Sequence, residues 1–321
     1  MTNSNPHGSE VIVGVIGGSG IYRLEALQDA KYYAIDTPFG APSGDVCVAN
    51  VRGVACAFIP RHGPNHSFNP SEVNYRANIY ALKLLGVRYL VAVNAVGSLD
   101  AACHPGDVVL VDQVIDRTVG RPSTFFEKGI VAHVDFAYPT SKTFRQLARD
   151  AILHVFPEAA APVEATNKDD QMSVYASRPW RLHESGTAVT MEGPQFSTRA
   201  ESLWNKSLGA HLIGMTTATE AKLAREAEMA YLVIATVTDM DSWCDGIPHV
   251  QAVDTWKVMA ENAERSQRIM VEVIDSIGRN NFTDPAHSSM ANAVCTKPDA
   301  ITREVRLRVA PLLAKYPQFA P

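Results

Sequence analysis

The chain reads as an α/β protein, a single domain over residues 1–321 on a mixed, mostly parallel twisted β-sheet flanked by helices. Short apolar runs alternate with amphipathic stretches along most of its length. The run Tyr231-Leu-Val-Ile-Ala-Thr-Val-Thr238 is almost wholly apolar or β-branched, as in a strand covered on both faces. No repeat and no convincing linker divides the sequence.

Val11–Ile16 predicts a first strand, closed by the glycine turn Gly17-Gly-Ser-Gly20. Val46–Val51 and Val54–Ile59 predict a hairpin about Arg52-Gly53. Asn69-Pro70 opens a helix with Val73, Ala77, Tyr80, Ala81 and Leu84 on one face, and Gly86 supplies a left-handed cap. Leu90–Val93 is the next strand, expected to stop at the turn Asn94-Ala-Val-Gly97-Ser98, and Val108–Val111 follows. Residues 116–140 read as a long functional loop. Helix 142–155 places Phe144, Leu147, Ala151, Ile152 and Val155 together. Residues 157–185 have the composition of a surface insertion. Thr187–Met191 is a strand, Glu192–Ser197 a turn, and Thr198-Arg-Ala-Glu201 has capping-box spacing. Leu212–Met215 precedes a helix over 219–228, and 253–277 reads as one long amphipathic helix. Beyond 279 the tail is mostly polar, with a short basic helix expected at 300–310.

Composition narrows the function classes. The 321 residues are 46% hydrophobic and 20% charged, with net charge −5, which speaks against a general nucleic-acid or membrane-surface role. Cys47, Cys56, Cys103, Cys244 and Cys295 are scattered and form no C-x-x-C pair, so no metal site is expected and a reducing, cytoplasmic setting is. No apolar run approaches the ~20 residues that span a bilayer.

Candidate chemistry sits where strands end. Asp239 and Asp241 follow the 231–238 strand, where open α/β sheets collect ligands, although a solvated turn fits the pair too. Gly17–Gly20 could bring backbone amides and the Ser19 hydroxyl to an anion. A dinucleotide fingerprint would need a third glycine where Arg23 stands, so a nicotinamide site has little support, with Asp36 its only ribose-binding candidate. Pro60-Arg61-His62-Gly-Pro-Asn-His66 is a cationic loop suited to gripping phosphate. His104, His154, His183, His211 and His287 read as structural or surface residues.

Taken together, Gly17-Gly-Ser-Gly20, Thr37-Pro-Phe-Gly40, Arg61-His-Gly63, Asn74-Tyr-Arg-Ala-Asn78, Gly97-Ser-Leu99, Asp112-Gln113, Asp116-Arg-Thr118, Met191-Glu-Gly-Pro194, Phe196-Ser197 and Met215-Thr-Thr217 occur in an order and spacing that resembles the purine nucleoside phosphorylase superfamily, and within it the 5′-methylthioadenosine phosphorylases. The likeness covers about 11–278 apart from 157–185; the tail is not matched. It implies the nucleoside phosphorylase fold and phosphorolysis of 5′-methylthioadenosine to adenine and 5-methylthioribose 1-phosphate, in methionine and purine salvage. Inorganic phosphate would be a co-substrate, with no cofactor. The resemblance puts phosphate among Ser19, Arg61, His62, Asn94, Ala95 and Thr216, ribose against Met215, and a stacked purine near Phe196. It assigns His66 to the rim and His133 to a neighbouring subunit's pocket, and implies a homotrimer.

Breaking an N-glycosidic bond builds positive charge on the sugar, which an adjacent phosphate dianion stabilises. The leaving purine needs a proton or strong hydrogen bond at N7. Asp239 is the candidate donor, with Asp241 supporting it or meeting the N6 amine. Raising an Asp pKa from ~3.9 to ~7 costs about 4 kcal/mol, which a dry pocket and a second carboxylate favour. An ionised Asp239 that gains its proton only in the complex is the other possibility. In relatives acting on 6-oxopurines, Glu and Asn stand where this chain has Ser197 and Asp239; Asp accepts from an exocyclic amine, so adenine is expected. A 5′-methylthio pocket is expected around Val250 and Val253. Such a pocket cannot strongly reject a hydroxyl, so adenosine use is expected too. The alternatives are a phosphorylase of broader base choice, acting on inosine or methylthioinosine, and a silent nucleoside-binding protein.

Overall fold

The computed structural model describes residues 5–18, 27–160, 179–245 and 250–321. Its strands are β1 (Val13–Gly17), β2 (Gln28–Tyr33), β3 (Val46–Val51), β4 (Val54–Pro60), β5 (Tyr89–Ser98), β6 (Val108–Leu110), β7 (Gln113–Arg117), β8 (Leu182–His183), β9 (Thr187–Met191), β10 (Leu212–Gly214) and β11 (Ala230–Asp239). The helices are α1 (Tyr75–Leu85), α2 (Lys142–Val155), α3 (Arg199–Ser207), α4 (Thr217–Glu226), α5 (Ala252–Glu261), α6 (Ala263–Asn280) and α7 (Arg303–Val309).

All described strands join one mixed sheet. Its centre is parallel: β4, β1, β5 and β11 run alongside one another, and β10, β9 and β7 form a second parallel group. The hairpin partners β2–β3 and β3–β4, and the junctions β5–β10 and β6–β11, are antiparallel. This is the expected mixed, mostly parallel α/β sheet. β11 is buried from Ala230 to Thr238, which explains its unbroken apolar sequence.

Two apolar cores cover the sheet. One joins Ile79 and Tyr80 of α1, Ala221 and Leu223 of α4, and Val305 and Val309 of α7. The other joins Phe144, Ala148 and Ile152 of α2 to Ile269, Val273 and Ile277 of α6. At α1, the Asn74 side chain accepts from the Ala77 N–H at 3.1 Å, and Gly86 closes the helix at φ 101°. At α3, Thr198 and Glu201 form the expected capping box. Among the described residues no helix is long and apolar enough to cross a membrane.

Several expectations are corrected. Asn94–Ser98 is not a turn; it continues β5, because β11 and β10 supply hydrogen-bond partners along it. The expected loop at 116–140 begins inside β7, which lies parallel to β9. Helix 253–277 is two helices joined at Asn262, whose side chain accepts from Arg265 while Arg265 also donates to the Gly106 carbonyl at 2.6 Å. Helix α1 starts at Tyr75 rather than at Asn69-Pro70. Strand β2, the possible second strand before Asp36, lies at the sheet edge with its residues nearly all exposed. The tail, read as mostly polar, also supplies apolar residues to the core: Ile301, Leu312, Leu313 and Phe319 are buried with α1 and α4. Of the expected insertion, residues 161–178 lie outside the described residues, while Leu182–His183 adds a short strand to β6.

Candidate active site

A branch in the sheet makes the site. β11 occupies one edge of β5 from Tyr89 to Gly97. The other edge is shared by β1, as far as Ala92, and β10, from Gly97. Val93, Asn94, Ala95 and Val96 lie between those two partners, and a cavity of about 710 Å³ opens over them. Arg61, His62 and His66 of the loop after β4 line it, with Met215 and Thr216 after β10, Phe196 after β9, and Asp239 and Asp241 after β11. Thr255 and Met259 of α5 and Glu72 before α1 complete the wall.

At one end stands a buried ion pair. Arg61 Nε donates to Glu220 Oε1 at 2.5 Å and Nη2 to Oε2 at 3.0 Å, with both side chains almost fully buried. Nη2 also donates to Asn94 Oδ1 at 2.7 Å, and Asn94 Nδ2 donates to the Thr217 hydroxyl at 2.9 Å. Tyr231 donates its hydroxyl to Glu220 at 3.0 Å. Burial disfavours the charge on Arg61, but Glu220 outweighs it and holds the guanidinium pKa above its usual value. Thr216 precedes α4, and its hydroxyl does not cap that helix. The α4 amino terminus therefore presents its dipole, and Thr216, to the cavity.

His62 Nδ1 lies 2.9 Å from the Phe68 carbonyl oxygen. A carbonyl only accepts, so Nδ1 carries the hydrogen. Burial, then the neighbouring Arg61 charge, pushes the His62 pKa down to about 4. The His62 and His66 rings lie 4.6 Å apart, and burial lowers the His66 pKa too.

At the other end are the two acids. The pairing of β11 with β5 shifts between Val237 and Asp239, so Thr238 is an extra residue and the chain is re-aimed at the cavity. Asp239 Oδ1 accepts the Asp241 N–H at 2.9 Å and Oδ2 accepts the Thr238 hydroxyl at 2.8 Å. Asp241 accepts from the Ser202 hydroxyl. Burial raises the pKa of Asp239 against the pull of those two donors, and Asp241's charge adds to the rise. Burial raises Asp241 as well, opposed by Ser202. Opposite, Gly97 leaves room for this: a Cβ there would sit 2.8 Å from Asp239 Oδ1.

Of the residues singled out from sequence, Arg61, His62, His66, Asn94, Ala95, Phe196, Met215, Thr216, Asp239 and Asp241 share this cavity. Ser19 lies outside the described residues. Ser197 is buried and is not among the residues that line the cavity; its hydroxyl donates to Met191 Sδ at 3.7 Å. Asn94 accepts from Arg61 through Oδ1 and gives one Nδ2 hydrogen to Thr217, which leaves the second Nδ2 hydrogen for a ligand. Val250 and Val253 do not reach the cavity, and Val253 is 68% exposed. One turn of α5 explains it: Thr255 and Met259 are spaced to share one face, and Val253 points away from them. His133 is exposed and does not line this chain's cavity; its N–H donates to the Ala293 carbonyl at 2.8 Å.

Sequence reasoning missed Glu220, Ser202 and Arg121. Arg121 donates to the Met215 carbonyl at 2.5 Å and to Glu192 Oε1 at 3.0 Å, tying the 116–140 segment to the cavity wall. The only signal for Glu220 was an acid in the first turn of a helix, a common ornament of helix starts. Among the described residues no group of three His, Cys, Asp or Glu stands together to hold a metal ion.

The family model of the phosphorylase superfamily matches residues 12–275. An S-methyl-5′-thioadenosine phosphorylase of Chloroflexus aurantiacus is 46% identical over 305 residues, covering 95% of this chain and 98% of its own length. One from Synechocystis is 42% identical, covering 96% of this chain and 89% of its own. Among solved structures, a methylthioadenosine phosphorylase from an Antarctic soil metagenomic library superposes with a TM-score of 0.84 at 40% identity, covering 95% of this chain and 99% of its own. A methylthioadenosine phosphorylase from Schistosoma mansoni in complex with adenine is similar at TM-score 0.75 and 33% identity, covering 95% of this chain and 98% of its own.

Proposed function

The chain belongs to the phosphorylase superfamily, and on that premise we propose that it is an S-methyl-5′-thioadenosine phosphorylase, cleaving its nucleoside with inorganic phosphate to adenine and 5-methylthioribose 1-phosphate. The observation that carries the reading is the polarity of one cavity: an arginine and a helix amino terminus at one end, two carboxylates at the other, Asp241 buried and Asp239 partly so.

Phosphate is taken at the Arg61, His62, Ala95 and Thr216 end, where the α4 dipole favours an anion. Asn94 holds Arg61 in place for it. The sugar lies against Met215 between phosphate and base, so the charge that develops at C1′ faces the phosphate oxygens. The purine stacks near Phe196 and meets Asp239 at N7. Burial, which raises the Asp239 pKa, favours a proton on that carboxyl in the complex. Asp241, held by Ser202, accepts from the N6 amine. The 5′ substituent lies toward Thr255 and Met259, a mixed wall that admits a methylthio group and does not strongly exclude the hydroxyl of adenosine. The exposed segment around His133 supports a neighbouring subunit's site in a homotrimer. The products would feed purine and methionine salvage.

The test is adenine release from methylthioadenosine with and without phosphate, beside adenosine and inosine. Phosphate-dependent adenine release with little inosine turnover is expected. Preferred inosine cleavage would overturn the assignment of Asp239 as base selector, and release independent of phosphate would overturn phosphorolysis.

A further inference from the structure

The ionic form of the phosphate follows from the charges around its expected place. Arg61 is the only lysine or arginine among the described residues lining the cavity, and it already meets Glu220 through both Nε and Nη2. That pair is close to neutral. The other charged groups on the wall are acids: Glu72 ahead of α1, and Asp239 and Asp241 after β11. Residues facing in from α5, α6 and their joint are uncharged, among them Thr255, Met259, Asn262 and Ser266. The remaining groups able to gain positive charge among the described lining residues are His62 and His66.

The His62 ring is already oriented. Its Nδ1 hydrogen is committed to the Phe68 carbonyl at 2.9 Å, so the nitrogen left for a ligand is Nε2. In the neutral ring Nε2 is an acceptor, and two acceptors facing each other repel. A phosphate oxygen can therefore meet this ring only across a proton. Monohydrogen phosphate can turn its own hydrogen to Nε2, but two negative charges then face a wall whose described charges beyond the Arg61–Glu220 pair are acids, and a second proton relieves that repulsion.

We propose that binding of inorganic phosphate in this cavity takes up one proton, held between His62 Nε2 and a phosphate oxygen. The proton comes from solvent: neutral His62 plus HPO₄²⁻ plus H⁺ gives the bound pair, whichever atom holds the hydrogen. The free ring's pKa, pushed down by burial and then by Arg61, keeps His62 neutral in the empty site at physiological pH, so the uptake belongs to binding. The inference rests on the phosphorolytic reading of the site. By linkage, the apparent Kd for phosphate rises about tenfold per pH unit above neutrality.

The experiment is titration calorimetry of the full-length protein with inorganic phosphate at pH 8, in buffers of different ionisation enthalpy, with the Michaelis constant for phosphate measured from pH 7 to 9. Uptake near one proton and a tenfold rise per unit are expected. His62→Gln, whose amide donates without titrating, is expected to bind phosphate more weakly with uptake near zero and a flat Michaelis constant. His66→Gln is expected to retain uptake near one. Phosphate binding without uptake in the parent protein, or uptake near one in His62→Gln, overturns the proposal and leaves phosphorolysis standing. No phosphate binding together with phosphate-independent turnover overturns both.

Discussion

Glu220, buried behind the cavity wall, and Asp239, partly buried on it, are carboxylates in opposite electrostatic settings. Glu220 is held by the Arg61 guanidinium and the Tyr231 hydroxyl. Among the described residues Asp239 meets no cation, only the Asp241 amide and the Thr238 hydroxyl. A carboxylate bonded to arginine through both oxygens positions its partner. A carboxylate held by neutral donors alone keeps a raised pKa and can exchange a proton. Glu226 gives a control far from the reaction: it too has one hydroxyl donor, Thr124 at 2.7 Å, and one amide, Phe125 at 2.8 Å, and burial pushes its pKa up to about 7. The same donor set yields the same direction of shift in both places. What makes Asp239 chemical is therefore the cavity in front of it.

The sharpest way to break this contrast is Asp239→Asn. Loss of a general acid should lower kcat/KM for methylthioadenosine by about 10²–10⁴, with the Michaelis constant for phosphate little changed. A loss below tenfold in steady-state assays would mean that Asp239 does not supply the proton. Glu220→Gln attacks the other end. It leaves the buried Arg61 charge without its acid, and urea unfolding should show a loss of about 3–5 kcal/mol. Parent-like stability would show that the ion pair is not the scaffold.

Glu226→Gln sharpens the control through pH. The folded protein keeps the Glu226 proton up to about pH 7, while the unfolded chain releases it near the ordinary 4.5. The associated stability is fully present below pH 4.5 and is lost as pH rises toward 7. Relative to the parent, Glu226→Gln should therefore gain up to about 3 kcal/mol across that window, read from unfolding midpoints at several pH values. A constant difference between the two would mean that Glu226 is ionised throughout. The smallest effect is expected from Ser202→Ala. Removing the hydroxyl from Asp241 should cost about 1 kcal/mol of transition-state binding and move the pH dependence of kcat/KM toward higher pH. An unmoved pH profile would exclude Asp241 from the titrating pair.

Legibility differed between the same two ends. The acids, the cationic loop and Phe196 were visible because each follows an apolar strand, and strand ends in such sheets gather at one place. Glu220 was invisible because its partner Arg61 lies 159 residues away in sequence. Val253 misled because apolar character in a short helix says nothing about which face meets the cavity.

The sequence by itself determined the α/β class, most of the strands and the residue types of the chemistry, since apolar periodicity and strand-ending turns are local properties of the chain. Only the tertiary structure decided that β1 and β10 share one edge of β5 and leave the gap that becomes the cavity. It alone decided that the break at Asn262 ends α5 and begins α6, and that the Thr238 bulge turns Asp239 inward. It also placed the tail in the core. These outcomes depend on which distant strand or side chain supplies a hydrogen-bond partner, and that information is absent from any local window of sequence.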